Sequence, residues 1–129
     1  RRSQASAGRS QADPRMSTAV VSLAAAMICF AQQCHPVLVG EYTPTGVFPL
    51  TKRVVAAPGY GGDVLQFKET EREVFAVHRV WLLRPSQRRA ERLASPAAAD
   101  RRGVTGGCIN VAPAVYDALA SVDTLVVLD

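Results

Sequence analysis

Residues 18–40 read TAVVSLAAAMICFAQQCHPVLVG, and the fold depends on what this apolar stretch is. Its first part, TAVVSLAAAMICFA (18–31), follows Arg15 and resembles the apolar core of a secretory signal, with Ala31 as a small residue at a cleavage site. It is too short to cross a membrane as a helix. The competing reading is two buried strands, Ala19–Leu23 and Met27–Ala31. Strands are preferred because HPVLVG (35–40) follows at once and continues a sheet-like pattern.

Outward from this stretch the punctuation is regular. Pro44, Gly46 and Pro49 break YTPTGVFPL, and Pro58, Gly59, Gly61 and Gly62 break APGYGGD. Short apolar runs lie around these breaks: Val37–Val39, Arg53–Ala56, Val64–Phe67, Val74–Val80 and Leu125–Leu128. Each has strand length and is rich in Val, Phe or Leu. Short strands between Gly/Pro turns predict a mainly β domain, a compact sandwich or barrel-like fold with one or two short helices. Ser86 is the expected cap of a helix over SQRRAERLA (86–94), which must end before Pro96. A second helix starts at Pro113 and places Val115, Leu119 and Val122 on one face. SPAAAD (95–100) reads as an Ala-rich loop.

The chain of 129 residues is long enough for one domain with a real core. Residues 1–15, RRSQASAGRSQADPR, lack large apolar side chains and read as a disordered basic tail, leaving 16–129 as the domain. The net charge of +4 leans weakly toward anionic partners. Aromatic residues are only 6%, too few for the stacking platforms of a single-strand nucleic-acid binder, and no nucleic-acid motif accompanies the arginines.

The chain has three cysteines and two histidines, with no CxxC pair, so no four-ligand metal site assembles. Cys29 and Cys34 are close enough to pair across a hairpin turning at Gln32–Gln33. The preferred reading keeps them as two small half-buried thiols. Cys108 stands apart, in TGGCINV (105–111). Gly106 and Gly107 clear space beside the sulfur, successive N–H groups at such a turn form an oxyanion hole, and Asn110 orients the loop. A thiol needs a base to attack at neutral pH, and His78, at the end of the strand-like EVFAVH, is the candidate. Taken alone, both residues read more readily as structural.

Three blocks in order carry a resemblance: TPTGVFPL (43–50), the histidine of FAVH (75–78), and TGGCINV (105–111). The sequence resembles the catalytic domain of the L,D-transpeptidases, the YkuD-like family, over residues 19–129. That family's pattern is TPxGxF, a histidine at a strand end, then Ser/Thr-His-Gly-Cys-hydrophobic-Asn/Arg. The resemblance implies Cys108 as nucleophile, His78 as base, Gly107 and Cys108 as backbone donors to the oxyanion, and Thr105 and Asn110 as residues shaping the loop. It implies a thioester formed on a peptidoglycan stem peptide, loss of D-alanine and resolution by an amine. It further implies a periplasmic or cell-envelope location, covalent inhibition by carbapenem-type β-lactams, no cofactor and no specific protein partner.

Two departures stand out. Gly106 replaces the family's histidine two positions before the cysteine, so a hydrolytic L,D-carboxypeptidase or an impaired peptidoglycan-binding module on the same fold stays open. The tract RRAERLASPAAADRRGV (88–104) is an Arg- and Ala-rich insertion. Its Arg88, Arg89 and Arg92 read first as a solvated face, with Arg88 paired to Glu91, and second as carboxylate holders. Arg102, close to Cys108 in sequence, is the expected cation favouring the thiolate. Tyr60, Arg79 and Trp81 complete the expected substrate-binding set.

Overall fold

The computed structural model describes residues 17–129. The expectation for the 1–15 tail lies outside the described residues. The apolar stretch 18–40 is part of the fold. Thr18–Ser22 forms β1 and Met27–Phe30 forms β2, an antiparallel pair in which Ala19, Val21, Ile28 and Phe30 point into the core. The segment resembling a signal core forms two sheet strands, with alternate residues buried.

Gln33–Pro36 adds β3, Gly46–Pro49 is β4, Thr51–Val54 is β5, Asp63–Glu69 is β6, Val74–Arg79 is β7, Ile109–Val111 is β8 and Thr124–Leu128 is β9. They make two mixed sheets, ordered β3-β2-β1-β9-β4 and β5-β6-β7-β8. β1 and β9 pair in parallel, and so do β7 and β8; the other pairs are antiparallel. Val21, Ile28, Leu125 and Val127 of the first sheet pack with Leu65, Phe67, Val77, Ile109 and Val111 of the second.

Several expected elements shift, each for a local reason. Val37–Val39 is buried but forms only a single bridge, Leu38 to Asn110, so it is a connector between the sheets and not a strand. β3 and β4 were hidden by Pro36, Gly46 and Pro49; both are edge strands, where a missing N–H costs no ladder bond. The helix expected from Ser86 begins later. Pro85–Gln87 is a single 3-10 turn, Arg88 takes a left-handed conformation at φ 53°, and α1 runs Arg89–Ala94. SPAAAD is not all loop: Ala98–Arg101 forms α2. α3, Pro113–Ala118, starts at its proline and buries Val115, with Leu119 and Val122 following on the same side.

The 88–104 tract is tied to the first sheet by a buried arginine. Arg101 donates through Nε to the Ala26 carbonyl at 3.2 Å, and through its terminal nitrogens to the carbonyls of Ser95 at 2.6 Å and Ala25 at 3.0 Å. Its own carbonyl accepts the Val39 N–H at 3.0 Å.

Cys29 and Cys34, expected as two separate half-buried thiols, are instead joined as a disulfide. The hairpin turns at Ala31 and Gln32, both at positive φ, one residue earlier than expected, and Phe30 closes it against Gln33. A two-residue turn makes the closing pair hydrogen-bonded and the next pair the narrow, non-hydrogen-bonded one. Cys29 and Cys34 occupy that narrow pair, with Cα atoms 4.0 Å apart. Bridging so short a loop stabilises by about 2 kcal/mol on chain-entropy grounds. A thiol titration of the denatured, unreduced protein should therefore count Cys108 alone; three titrating thiols would contradict the pairing.

Candidate active site

The register of β7 on β8 builds the site. Val77 lies opposite Ile109, His78 opposite Asn110 and Arg79 opposite Val111. Side chains alternate along each strand. Val77, Ile109 and Val111 enter the core, while His78 and Asn110 share the other face. Cys108, one residue before β8, borders the same face. His78, Thr105, Gly106 and Cys108 line a cleft of about 340 Å³ with Tyr60, Trp81, Arg89 and, from the β6–β7 hairpin, Glu73, Val74 and Phe75.

Hydrogen bonds orient the pieces. His78 Nδ1 lies 2.7 Å from the Arg79 carbonyl, which can only accept, so the ring proton sits on Nδ1 and Nε2 keeps its lone pair. Asn110 is fully buried. Its Oδ1 accepts from the Trp81 N–H at 3.1 Å and from Arg89 Nη1 at 2.9 Å, which turns its Nδ2 to His78 Nε2 at 3.5 Å. The Tyr60 ring meets the imidazole edge-on at 4.8 Å between centroids.

The cysteine loop is shaped by Thr105. Its hydroxyl donates to the Cys108 carbonyl at 2.6 Å and accepts the Gly107 N–H at 3.1 Å. Gly107 stands at φ 136°, and a Cβ there would overlap the Phe75 ring. The Gly107 N–H, expected as an oxyanion donor, is engaged by Thr105 in this state and has to be shared with any incoming oxyanion. Gly106 differs: an added Cβ would meet nothing within 4 Å, so packing does not demand glycine there. The loop is held from behind by Gly40, whose own Cβ, if present, would overlap the Thr105 carbonyl. Val104 donates its N–H to Val39 at 2.9 Å, and Thr43, from TPTG, accepts the Gly40 N–H at 3.0 Å.

Not every expected residue reaches the cleft. Arg79 turns to the opposite side, where Nη1 donates to the Tyr60 carbonyl at 3.0 Å and pairs with Asp63 at 3.1 Å. Its guanidinium lies 4.1 Å from the Tyr116 ring centroid. It fixes the loop that carries Tyr60. Arg102 is exposed and does not line the cleft; Arg89 is the arginine that does. Sequence reasoning grouped Arg89 with its neighbours, since RRAER alone does not say which arginine turns inward.

The cleft's charges work against resting ionisation. Burial pushes the Cys108 thiol up, opposed by a backbone hydrogen bond from Ala76 and the Arg89 charge, and reinforced by Glu73. Burial pushes His78 down, opposed by its bond to the Arg79 carbonyl and reinforced by Arg89. At rest both groups are neutral and not hydrogen-bonded to each other: the thiol points to the Val74 carbonyl, with Sγ 3.8 Å from the oxygen, and the imidazole Nε2 faces Asn110. Such a pair suits proton transfer during attack, with no stored thiolate.

No family model matches the sequence, and neither does any curated protein sequence. Solved structures do match. L,D-transpeptidase 3 from Mycobacterium tuberculosis aligns with 97% of this chain at a TM-score of 0.59 and 14% identity. The same protein in complex with a faropenem-derived adduct aligns with 97% at a TM-score of 0.55 and 17% identity. In both, the alignment covers 63% of the solved chain, so this chain spans about that share of their length. At such identity the likeness establishes the fold, a mainly β L,D-transpeptidase-like domain.

Proposed function

We propose that this domain is a cysteine acyltransferase of the L,D-transpeptidase type acting on peptidoglycan stem peptides. The observation that carries the reading is the β7–β8 register, which sets His78 and Asn110 side by side with Cys108 bordering the same cleft. On this reading Asn110 Nδ2 gives up its 3.5 Å contact with His78 Nε2, and Nε2 takes the Cys108 proton as sulfur attacks the peptide carbonyl. The imidazolium then protonates the departing D-alanine amine. The thioester is resolved by an amine acceptor; water in its place gives the carboxypeptidase outcome. The Arg79 carbonyl fixes the imidazole through Nδ1, and Thr105 keeps the cysteine loop in shape.

The Cys29–Cys34 disulfide supports a cell-envelope location, because such bridges persist in oxidising compartments. The faropenem-derived adduct on a structurally similar protein supports β-lactams as covalent probes. Incubation with a carbapenem or faropenem should give one adduct, mapped to Cys108 by peptide mass and absent in Cys108→Ala. A carbapenem and faropenem that both leave Cys108 unmodified, in a protein that also releases no D-alanine from stem peptide, would remove the enzyme reading.

A further inference from the structure

Arg88, Arg89 and Arg92, three of the five arginines in the 88–104 tract, look equivalent in sequence, and the structure separates them. Arg88 pairs with Glu91 through two contacts of 2.9 Å. Arg92 donates to the carbonyls of Asp100 at 2.7 Å and Arg102 at 3.5 Å. Arg89 alone of the three lines the cleft that holds Cys108.

Its partners there are all neutral. Nε donates to Gln87 Oε1 at 2.8 Å and Nη1 to Asn110 Oδ1 at 2.9 Å, and Cζ lies 5.2 Å from the Trp81 ring centroid. Among the described residues no carboxylate comes within ion-pair distance of Arg89, and its Nη2 makes no hydrogen bond. A guanidinium offers more N–H donors than these two bonds use. Drawing a cation partly out of water without a counter-ion is unfavourable, and an anion arriving in the cleft would offset that cost. Two hydrogen bonds and the indole already fix the side chain, so little rotamer freedom remains to be lost on binding. The carboxylate lining the same cleft, Glu73, belongs to the β6–β7 hairpin and is exposed.

We propose that Arg89 is the anion-binding residue of the cleft and anchors a carboxylate of the acyl-donor peptide beside Cys108. The identity of the peptide rests on the acyl-transfer reading; the anion site does not. The insertion thereby contributes substrate selection to a scaffold whose chemistry lies on β7 and β8.

Alkylation of Cys108 by iodoacetate and by iodoacetamide tests this without requiring turnover. The two reagents differ in charge and displace the same iodide. The rate ratio, iodoacetate over iodoacetamide, should exceed that of free cysteine by about fivefold or more, the scale of one partly screened ion pair. Arg89→Gln should bring the ratio down to the free-cysteine value, and Arg89→Lys should keep part of the preference. The ratio divides out any change in thiolate fraction, and circular dichroism confirms that each variant is folded. A wild-type ratio equal to that of free cysteine, or one unchanged in Arg89→Gln, overturns the proposal. The β-lactam adduct judges the acyl-transfer reading separately.

Discussion

Replacing His78 with alanine is expected to slow β-lactam acylation of Cys108 by about 10²–10⁴-fold near neutral pH, the usual contribution of a positioned general base. The reason is the direction in which the cleft moves the two groups. Burial holds the thiol above its ordinary value, so little thiolate exists at neutral pH and the proton must leave during attack. Burial also holds His78 below its ordinary value. A lowered pKa means the imidazole stays neutral, and able to accept a proton, to a lower pH than an exposed histidine would. Wild-type acylation should therefore fall only below the usual histidine range of about 6.5. In His78→Ala that acid limb should vanish, and the rate should climb with pH through the thiol's own titration. Equal rates in the two proteins across pH 5–9 would sink the dyad.

The second large effect is expected at a residue that touches no substrate. Gly40→Ala should destabilise the fold by about 3 kcal/mol or more, lowering the melting temperature by on the order of 10 °C. The added methyl would meet the Thr105 carbonyl, which is backbone and cannot swing aside. Relief requires the 37–40 connector or the cysteine loop to move, and either displaces Thr105 from Cys108. Gly106→Ala is the matched control. Its Cβ enters open space, so its melting temperature should stay within a few degrees of wild type. Thermal melts with equal shifts for the two variants would refute the account.

Much of this arrangement was legible in the sequence. The strands β1, β2, β6, β7 and β9 follow from branched residues between turns, and α3 from Pro113 and the spacing of Val115, Leu119 and Val122. Glycines beside a sulfur and a histidine ending a strand made Cys108 and His78 candidates only; the order of TPTGVFPL, FAVH and TGGCINV is what singled them out. What escaped was set by partners far away in sequence. β8 is only three residues long, and its parallel seat on β7 is invisible until both are placed. The disulfide depended on whether the turn fell at residues 31–32 or 32–33, a one-residue question that decides which pair is narrow. Arg79, Arg89 and Arg102 could not be sorted, because the face an arginine takes at the end of a strand, at the start of a helix or in a loop depends on what receives it. Arg101 gave no signal at all; its receivers are carbonyl groups, and every residue has one.

The pairing of β1 with β9 bears on how the chain acquires its structure. Thr18 sits beside Thr124 and Ser22 beside Leu128, with β1 and β9 as inner members of the sheet. The β3-β2-β1 hairpins have only local neighbours until β9 arrives, and β4 has no neighbour in that sheet without it. A sheet whose middle is closed by its last strand forms late, since long loops must be ordered before their contacts return any stability. During synthesis the early strands are thus left with unpaired edges, exposed to chaperones or to aggregation, until the segment TLVVL emerges.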